Sequence, residues 1–223
     1  MMYSPELDPT IKVVFVGDKN VGKTSFLYAA TTHNFPTGFI ASIFDGYSKT
    51  MEIDGKRYTV LLCDTPGTMH PRIPPQHWFQ YASVFLLCFD IANRESFANI
   101  ESTWLPHVNL ETSDVPKVLV GNKMELRCSQ QESTDLGQTH DCVPFTEAKA
   151  LACKSNIPYV ENSAKELKGL EDVLMTGIEI GRDYIMSTQD QTKTTHEIAD
   201  NHKANRKIKE EKKGKFVQKC CVL

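Results

Sequence analysis

The sequence predicts an α/β protein with a six-stranded, mostly parallel sheet, one antiparallel strand and helices on both faces. Short apolar segments alternate with longer helical patterns up to about Met186, which is typical of parallel strands joined by crossover helices. The pair Asp54-Gly55 lies between two β-like segments and predicts a hairpin, which supplies the antiparallel strand. No apolar run approaches the ~18 residues of a membrane-spanning helix.

The elements follow from local patterns taken in chain order. The first strand, 11–16, is short, β-branched and almost wholly apolar, as expected of a strand buried on both faces. Five more strands are predicted at 48–53, 56–63, 84–89, 117–120 and from 159. Helical patterns lie at about Lys23 to Ala30, 96–108, 144–154 and 170–186. Pro144 suits the first turn of its helix.

Length and composition predict one domain with flanking segments. With 223 residues, 40% of them hydrophobic, the chain can form a full core. Residues 1–10 are an extension, 11–186 the domain with an inserted stretch at about 127–143, and 187–223 a polar, disordered tail. Seven cysteines without Cys-x-x-Cys spacing predict free thiols in a reducing compartment. No histidine pair has metal-ligand spacing.

A phosphate-binding loop follows the first strand. Its residues match the pattern G-x-x-x-x-G-K-[ST] between a strand and a helix, which is the context the motif requires: Gly17, Asp18, Lys19, Asn20, Val21, Gly22, Lys23 and Thr24. The glycines let backbone N–H groups point at phosphates, and the helix N-terminus favours negative charge. Lys23 is predicted to bridge the β- and γ-phosphates, and the Thr24 hydroxyl to ligate Mg²⁺.

Four short motifs follow or precede other strands at the same sheet edge, where open α/β sheets bind ligands. Asp64-Thr65-Pro66-Gly67 follows the third strand, and its carboxylate is predicted to reach Mg²⁺ through water while the Gly67 N–H meets a γ-phosphate. The other three motifs are Phe39-Ile40-Ala41-Ser42, Asn122-Lys123-Met124-Glu125 and Ser163-Ala164-Lys165. Each is weak alone, but their order and spacing together are strong.

With these motifs the sequence resembles the Ras superfamily of small GTP-binding switches, and within it the Rho family. Further Rho-like segments are Phe35-Pro36, 44–48, 85–90, 96–97, 104–106 and the insert at 127–143. The resemblance implies a GTP/GDP switch with Mg²⁺. It also implies effector proteins that bind the switch loops, exchange factors, and a dissociation inhibitor that binds a prenylated tail.

The resemblance assigns roles residue by residue. Ser25, Phe35, Ser42 and Ala164 join the motif residues in the nucleotide site: Phe35 packs against the base, and the Ala164 N–H meets guanine O6. Lys123 lays its stem along the base, and Ser163 and Lys165 complete that loop. The metal residues are Thr24, Ser42 and, through water, Asp64. The effector loop comprises Phe39, Ile40, Ala41, Ser42, Ile43, Phe44, Asp45, Gly46 and Tyr47.

Two departures from the family pattern affect hydrolysis. Lys19 stands where most members have glycine, beside the γ-phosphate and the path of an arginine finger. Thr68 stands where the family has the glutamine that orients the attacking water, and it is too short for the same task. Pro66, with prolines at 71, 74 and 75, stiffens the switch segment. We expect very slow hydrolysis, as in the similar Rnd branch, although another water-positioning group remains an alternative.

Three further departures alter the switch and the base site. Ser42 replaces a threonine but keeps a hydroxyl for Mg²⁺, and Phe39 replaces a common tyrosine. Glu125 replaces the aspartate that pairs with guanine N1–H and N2–H and is one methylene longer. Because unpaired polar groups cost about 1–3 kcal/mol each, guanine selectivity is expected to survive in weakened form.

The C-terminal residues predict a lipid anchor. The end Cys220-Cys221-Val222-Leu223 is a C-a-a-X pattern whose final leucine indicates geranylgeranylation of Cys220, with Cys221 open as a second lipid site. Residues 203–219 hold eight basic residues and two glutamates, a net +6 in a chain of −3, so the rest carries −9. One lipid binds reversibly, and the basic segment adds attraction to anionic lipids rather than nucleic acid. We expect the cytoplasmic face of the plasma membrane or endomembranes, with a cytosolic fraction.

The predicted function is therefore a membrane-associated, Rho-like guanine nucleotide switch that is mostly GTP-bound. A conventional cycling GTPase with unusual catalytic groups is one alternative. A pseudo-switch that acts only as an interaction module is another. A P-loop kinase is disfavoured by Asn122-Lys123 and Ser163-Ala164-Lys165.

Overall fold

The computed structural model describes residues 8–36, 46–68, 76–128 and 141–189, and every structural statement below refers to them. The chain divides into two compact units, Met1–Tyr184 and Ile185–Leu223, and the sheet lies in the first. Most of the predicted effector loop, including Ser42, and the central part of the insert lie outside the described residues. So does the tail with Cys220.

Six strands form one sheet, as the sequence predicts. They are β1 Thr10–Val16, β2 Tyr47–Ile53, β3 Lys56–Asp64, β4 Val84–Asp90, β5 Lys117–Asn122 and β6 Tyr159–Glu161. Their order is β2-β3-β1-β4-β5-β6, with β2 antiparallel to β3 and all other neighbours parallel. Asp54 and Gly55 have φ angles of 51° and 76° and form the predicted hairpin turn. The predicted fold class is confirmed.

Helices connect the parallel strands. They are α1 Lys23–Thr32, α2 Gln76–Phe79, α3 Arg94–Asn99, α4 Leu105–Glu111, α5 Glu125–Cys128 and α6 Phe145–Lys154, with α7 at 170–189. A π-helical turn, Ile100–Trp104, joins α3 to α4 without a break. This helical segment is longer than the predicted 96–108. Four residues are too few to show an apolar period, so the sequence did not predict α2 or α5.

Predicted helix boundaries also differ from the structure at Pro144 and near Met186. Pro144 is the N-cap residue of α6, with extended backbone at φ −64° and ψ 147°, and the helix begins at Phe145. Proline fixes φ but leaves ψ free, so it serves equally well just outside the first turn. The sequence predicts an end of the last helix near Met186, where the apolar pattern stops, but the helix continues to residue 189. Backbone hydrogen bonds can extend a helix through polar residues that have no apolar face.

The core lies on both faces of the central strands. All residues of β5 and all but the last of β4 are buried, as expected for parallel strands covered on both sides. Cys88 is buried and Cys63 half-buried. Burial raises the pKa of both thiols, that of Cys88 to about 12, and both are free, as predicted. Among the described helices, none is long and apolar enough to cross a membrane.

Arg127 joins the two ends of the inserted stretch to each other and to strand β6 by hydrogen bonds. Its guanidinium binds both carboxylate oxygens of Glu161 at 2.7 and 2.8 Å, and donates twice to the Val143 carbonyl at 3.2 and 2.8 Å. The Tyr159 hydroxyl donates to the same carboxylate. Hydrogen bonding to Glu161 raises the pKa of Arg127. No local pattern predicts this bidentate pair, since its partners are 34 residues apart.

Replacing Arg127 with methionine is expected to lower the free energy of unfolding by about 2 kcal/mol. The loss leaves a mostly buried carboxylate and a carbonyl with fewer donors, which costs somewhat less than opening a fully buried pair. Urea unfolding would measure it. Arg94→Met is a matched control, because Arg94 binds Glu147 and Asp141 at the exposed surface, where such pairs contribute little. Equal losses in the two variants would contradict the prediction.

Candidate nucleotide-binding site

The loop at 17–24 lies between the carboxyl end of β1 and the first turn of α1, as predicted. Gly17 has φ 145°, and a Cβ atom there would lie 2.1 Å from the Cys88 carbonyl oxygen. Only glycine therefore fits this turn. Gly22, the N-cap of α1, is also left-handed at φ 100°. The two glycines let the loop curl tightly between strand and helix.

Lys23 points its ammonium group back across the loop. The side chain is only 5% exposed, and Nζ donates to the carbonyls of Gly17 at 2.7 Å and Asp18 at 2.8 Å. Burial lowers its pKa, against the opposing effect of nearby acidic groups that include Asp64 and Asp18. A buried cation enclosed by a phosphate-type loop is well suited to an anionic ligand.

Thr24 and Asp64 meet at the floor of the site. The Thr24 hydroxyl donates to Oδ2 of Asp64, and Oδ1 is buried without a hydrogen-bond partner among the described residues. Burial raises the pKa of this carboxyl, opposed by the Thr24 hydrogen bond and the Lys23 charge. Hydroxyl and carboxylate oxygens are the donors that Mg²⁺ prefers, and an orphaned carboxylate oxygen is free to accept from a bound metal's water. These two residues therefore fit the predicted metal.

The two residues that depart most from the family pattern lie at adjoining loops. A Cβ atom on Gly67 would come within 2.3 Å of the Lys19 backbone nitrogen and 2.6 Å of the Asp18 carbonyl carbon, so the two loops are in close backbone contact. Lys19 and Thr68 are both exposed. The structure thus brings the Gly67 loop against the N-terminal half of the phosphate loop.

Asn122 and Lys123 connect the end of β5, where the base is expected to bind, to the phosphate loop by hydrogen bonds. The Asn122 amide donates to the Val21 carbonyl at 2.9 Å, and its own oxygen accepts from Asn162 at 2.6 Å. Lys123 Nζ donates to the Asn20 carbonyl at 2.7 Å and pairs with Asp90 at 2.6 Å. The buried Asn162 was not among the predicted residues, although it directly precedes the Ser163 motif.

The remaining base-site residues surround this network. Glu125 opens α5, and its Oε2 atom is buried without a hydrogen-bond partner in the described part of the chain. The Ser163 hydroxyl accepts from the Glu166 N–H at 2.9 Å, while Ala164 is buried and Lys165 exposed. Phe35 is 42% exposed. An orphaned carboxylate oxygen beside a sheet edge is suited to accept from a ligand's N–H groups.

The Asp18 carboxylate is held by two hydrogen bonds that the sequence does not predict. Its Oδ2 accepts from Asn99 Nδ2 at 2.7 Å and its Oδ1 from Trp104 Nε1 at 2.7 Å. Trp104 is a core side chain with 4% exposure, and its indole nitrogen also donates to the loop. Separations of 81 and 86 residues leave no local signal for these contacts.

A glycine-rich loop between a strand and a helix, a buried lysine, and a hydroxyl–carboxylate pair at the same edge define a P-loop nucleotide-binding protein. Comparison with protein-family models gives a match to the Ras family over residues 12–181. The chain therefore belongs to the Ras family. It is a small GTPase of the GTP-binding switch type; members bind GTP and GDP, typically with Mg²⁺, and interact with effectors and regulators.

Proposed function

We propose that the protein is a Rho-type switch that hydrolyses GTP very slowly and is mostly GTP-bound. The observation that supports slow hydrolysis is the contact between Gly67 and the Lys19 backbone. It puts Lys19 and Thr68 on neighbouring loops, at the end of the site where the family places the γ-phosphate and the attacking water. A lysine there crowds the water and an incoming arginine finger, and a threonine is too short to orient the water.

The Rho assignment rests on local sequence and on the position of the insert. The stretch at about 127–143 lies between β5 and α6, where Rho proteins carry an extra helix, and Arg127 and Val143 at its ends are joined by hydrogen bonds. Phe35-Pro36 and Trp104-Leu105-Pro106 also resemble Rho segments. Effector proteins are proposed to bind the switch loops, from Phe39 to Tyr47, and exchange factors to act on the same region.

Guanine selectivity is proposed to depend on Glu125. Its buried Oε2, which has no hydrogen-bond partner among the residues that the structure describes, supplies the acceptor that guanine N1–H and N2–H require. The Asn122 amide is already oriented by Val21 and Asn162, so this side chain is held in place before a base arrives. Pre-oriented polar groups reject bases that leave them unpaired.

The nucleotide released on denaturation tests this function. Protein purified with its bound ligand should release mainly GTP, identified and quantified by ion-exchange chromatography. GDP alone would instead support a conventional cycling GTPase. A nucleotide-free protein that also fails to bind added GTP or GDP with Mg²⁺ would support the pseudo-switch and overturn the proposal.

Membrane attachment through Cys220 is a further part of the proposed function. The C-a-a-X pattern and the adjoining basic residues 203–219 together supply the two signals that stable anchoring needs. In a cell with a prenylation system, Cys220→Ser is expected to move most of the protein from the membrane to the soluble fraction on centrifugation. Cys153→Ser, at an exposed cysteine of α6, is the control. Undiminished membrane binding of the Cys220 variant would refute the anchor.

A further inference from the structure

The Asp18 carboxylate is held by the helical segment that follows β4. Both of its oxygens accept a 2.7 Å hydrogen bond, one from Asn99 and one from Trp104. A carboxylate in a phosphate-binding loop repels an anionic ligand unless its charge is directed elsewhere or compensated. Two donors on one carboxylate achieve this and also fix the backbone of the residue that carries it.

The π-helical turn is what brings the two donors together. In an α-helix, side chains five residues apart point about 140° away from each other, so Asn99 and Trp104 would face different directions. In the turn at Ile100–Trp104 the Leu105 N–H bonds to the Ile100 carbonyl, and this i→i+5 pattern stacks residues five apart on one side. Pro106, which has no N–H to offer the Ser102 carbonyl, favours such a break in the α-helical pattern.

The backbone of the same loop segment has a close contact of its own. The backbone at Asp18 and Lys19 touches Gly67, where a Cβ atom would be 2.6 and 2.3 Å away. The segment therefore contacts Gly67 through its backbone and the two donors on the helix through its carboxylate. Gly67 belongs to the loop expected to meet the γ-phosphate, whereas Lys23 and Thr24 lie at the start of α1, at the other end of the phosphate loop.

We propose that Asp18, held by Asn99 and Trp104, is a positioning residue that sets the γ-phosphate end of the loop and so favours GTP over GDP. This inference rests on the proposed nucleotide switch. If the two hydrogen bonds to Asp18 are lost, the backbone at Lys19 loses its fixed distance to a third phosphate, whereas the contact expected between Lys23 and the β-phosphate, which GTP and GDP share, keeps its geometry. The effect is therefore selective for the triphosphate.

The test compares two dissociation constants in the full-length protein with Mg²⁺: that of the non-hydrolysable analogue guanosine 5′-(β,γ-imido)triphosphate and that of GDP. Trp104→Phe removes the indole donor but keeps an aromatic ring, and Asn99→Ala removes the amide. Each is expected to lower the affinity for the analogue about tenfold relative to the affinity for GDP, since hydrogen bonds to charged groups are strong. Asn109→Ala, at an exposed position of α4, is a matched control that should leave the ratio unchanged.

A double-mutant cycle separates positioning from general destabilisation. When Trp104→Phe is added to Asp18→Ala, the ratio of the two dissociation constants is expected to stay as it is in Asp18→Ala alone, because the acceptor is already absent. Equal weakening of both nucleotides, or full additivity of the two substitutions, would overturn this inference while leaving the switch proposal intact. If the unmodified protein bound neither nucleotide, both proposals would fail.

Discussion

The double substitution Lys19→Gly and Thr68→Gln is expected to raise single-turnover GTP hydrolysis at least about tenfold, and by more if an activating protein can then insert an arginine finger. Glycine removes a long cation from the γ-phosphate end of the loop, and glutamine restores an amide that can reach the attacking water. The expectation depends on the close contact between Gly67 and the Lys19 backbone, which brings the loops that carry the two substituted residues together.

The measurement uses protein loaded with GTP and followed for phosphate release in one turnover. Thr68→Asn combined with Lys19→Gly is the matched control, because asparagine carries the same amide on a side chain one methylene shorter. It should recover much less activity than glutamine. An unchanged rate in the glutamine variant would mean that another group already positions the water or that a different feature limits the step.

Lys23→Met is expected to reduce the affinity for both GTP and GDP by about a hundredfold. The loss corresponds to removing a charge-assisted contact to phosphate, worth roughly 1.5–3 kcal/mol. Methionine preserves the length and packing of the stem. The Lys23 ammonium is buried at 5% exposure, so little solvent can substitute for it. Titration with a fluorescent GDP analogue would measure the change.

The same variant separates binding from folding. Removing a buried charge offsets the loss of the two hydrogen bonds to Gly17 and Asp18, because burial disfavours the charged form. The unfolding midpoint of the nucleotide-free variant should therefore change little. Lys149→Met, at an exposed position of α6, is the control for affinity. Unaltered nucleotide affinity in Lys23→Met would exclude this lysine from phosphate binding.

Much of this protein is determined by its sequence alone, because the signals are local. The alternation of apolar strands with helical patterns predicts the parallel sheet, and Asp54-Gly55 predicts the one antiparallel pair, since a turn needs only a few adjacent residues. The glycine-rich loop from Gly17 to Thr24 likewise carries its own geometry. Motifs that follow strands converge at one edge because the carboxyl ends of parallel strands lie together.

Tertiary structure alone decided how the site is held in place. The Asp18 carboxylate accepts hydrogen bonds from Asn99 and Trp104. Arg127 pairs with Glu161, and Asn162 donates to Asn122. Each contact joins residues at least 34 positions apart, so no periodicity or short motif encodes it. The physical reason is that a buried hydrogen bond needs a donor and an acceptor at one place in space, and only the packed sheet and helices bring these side chains there.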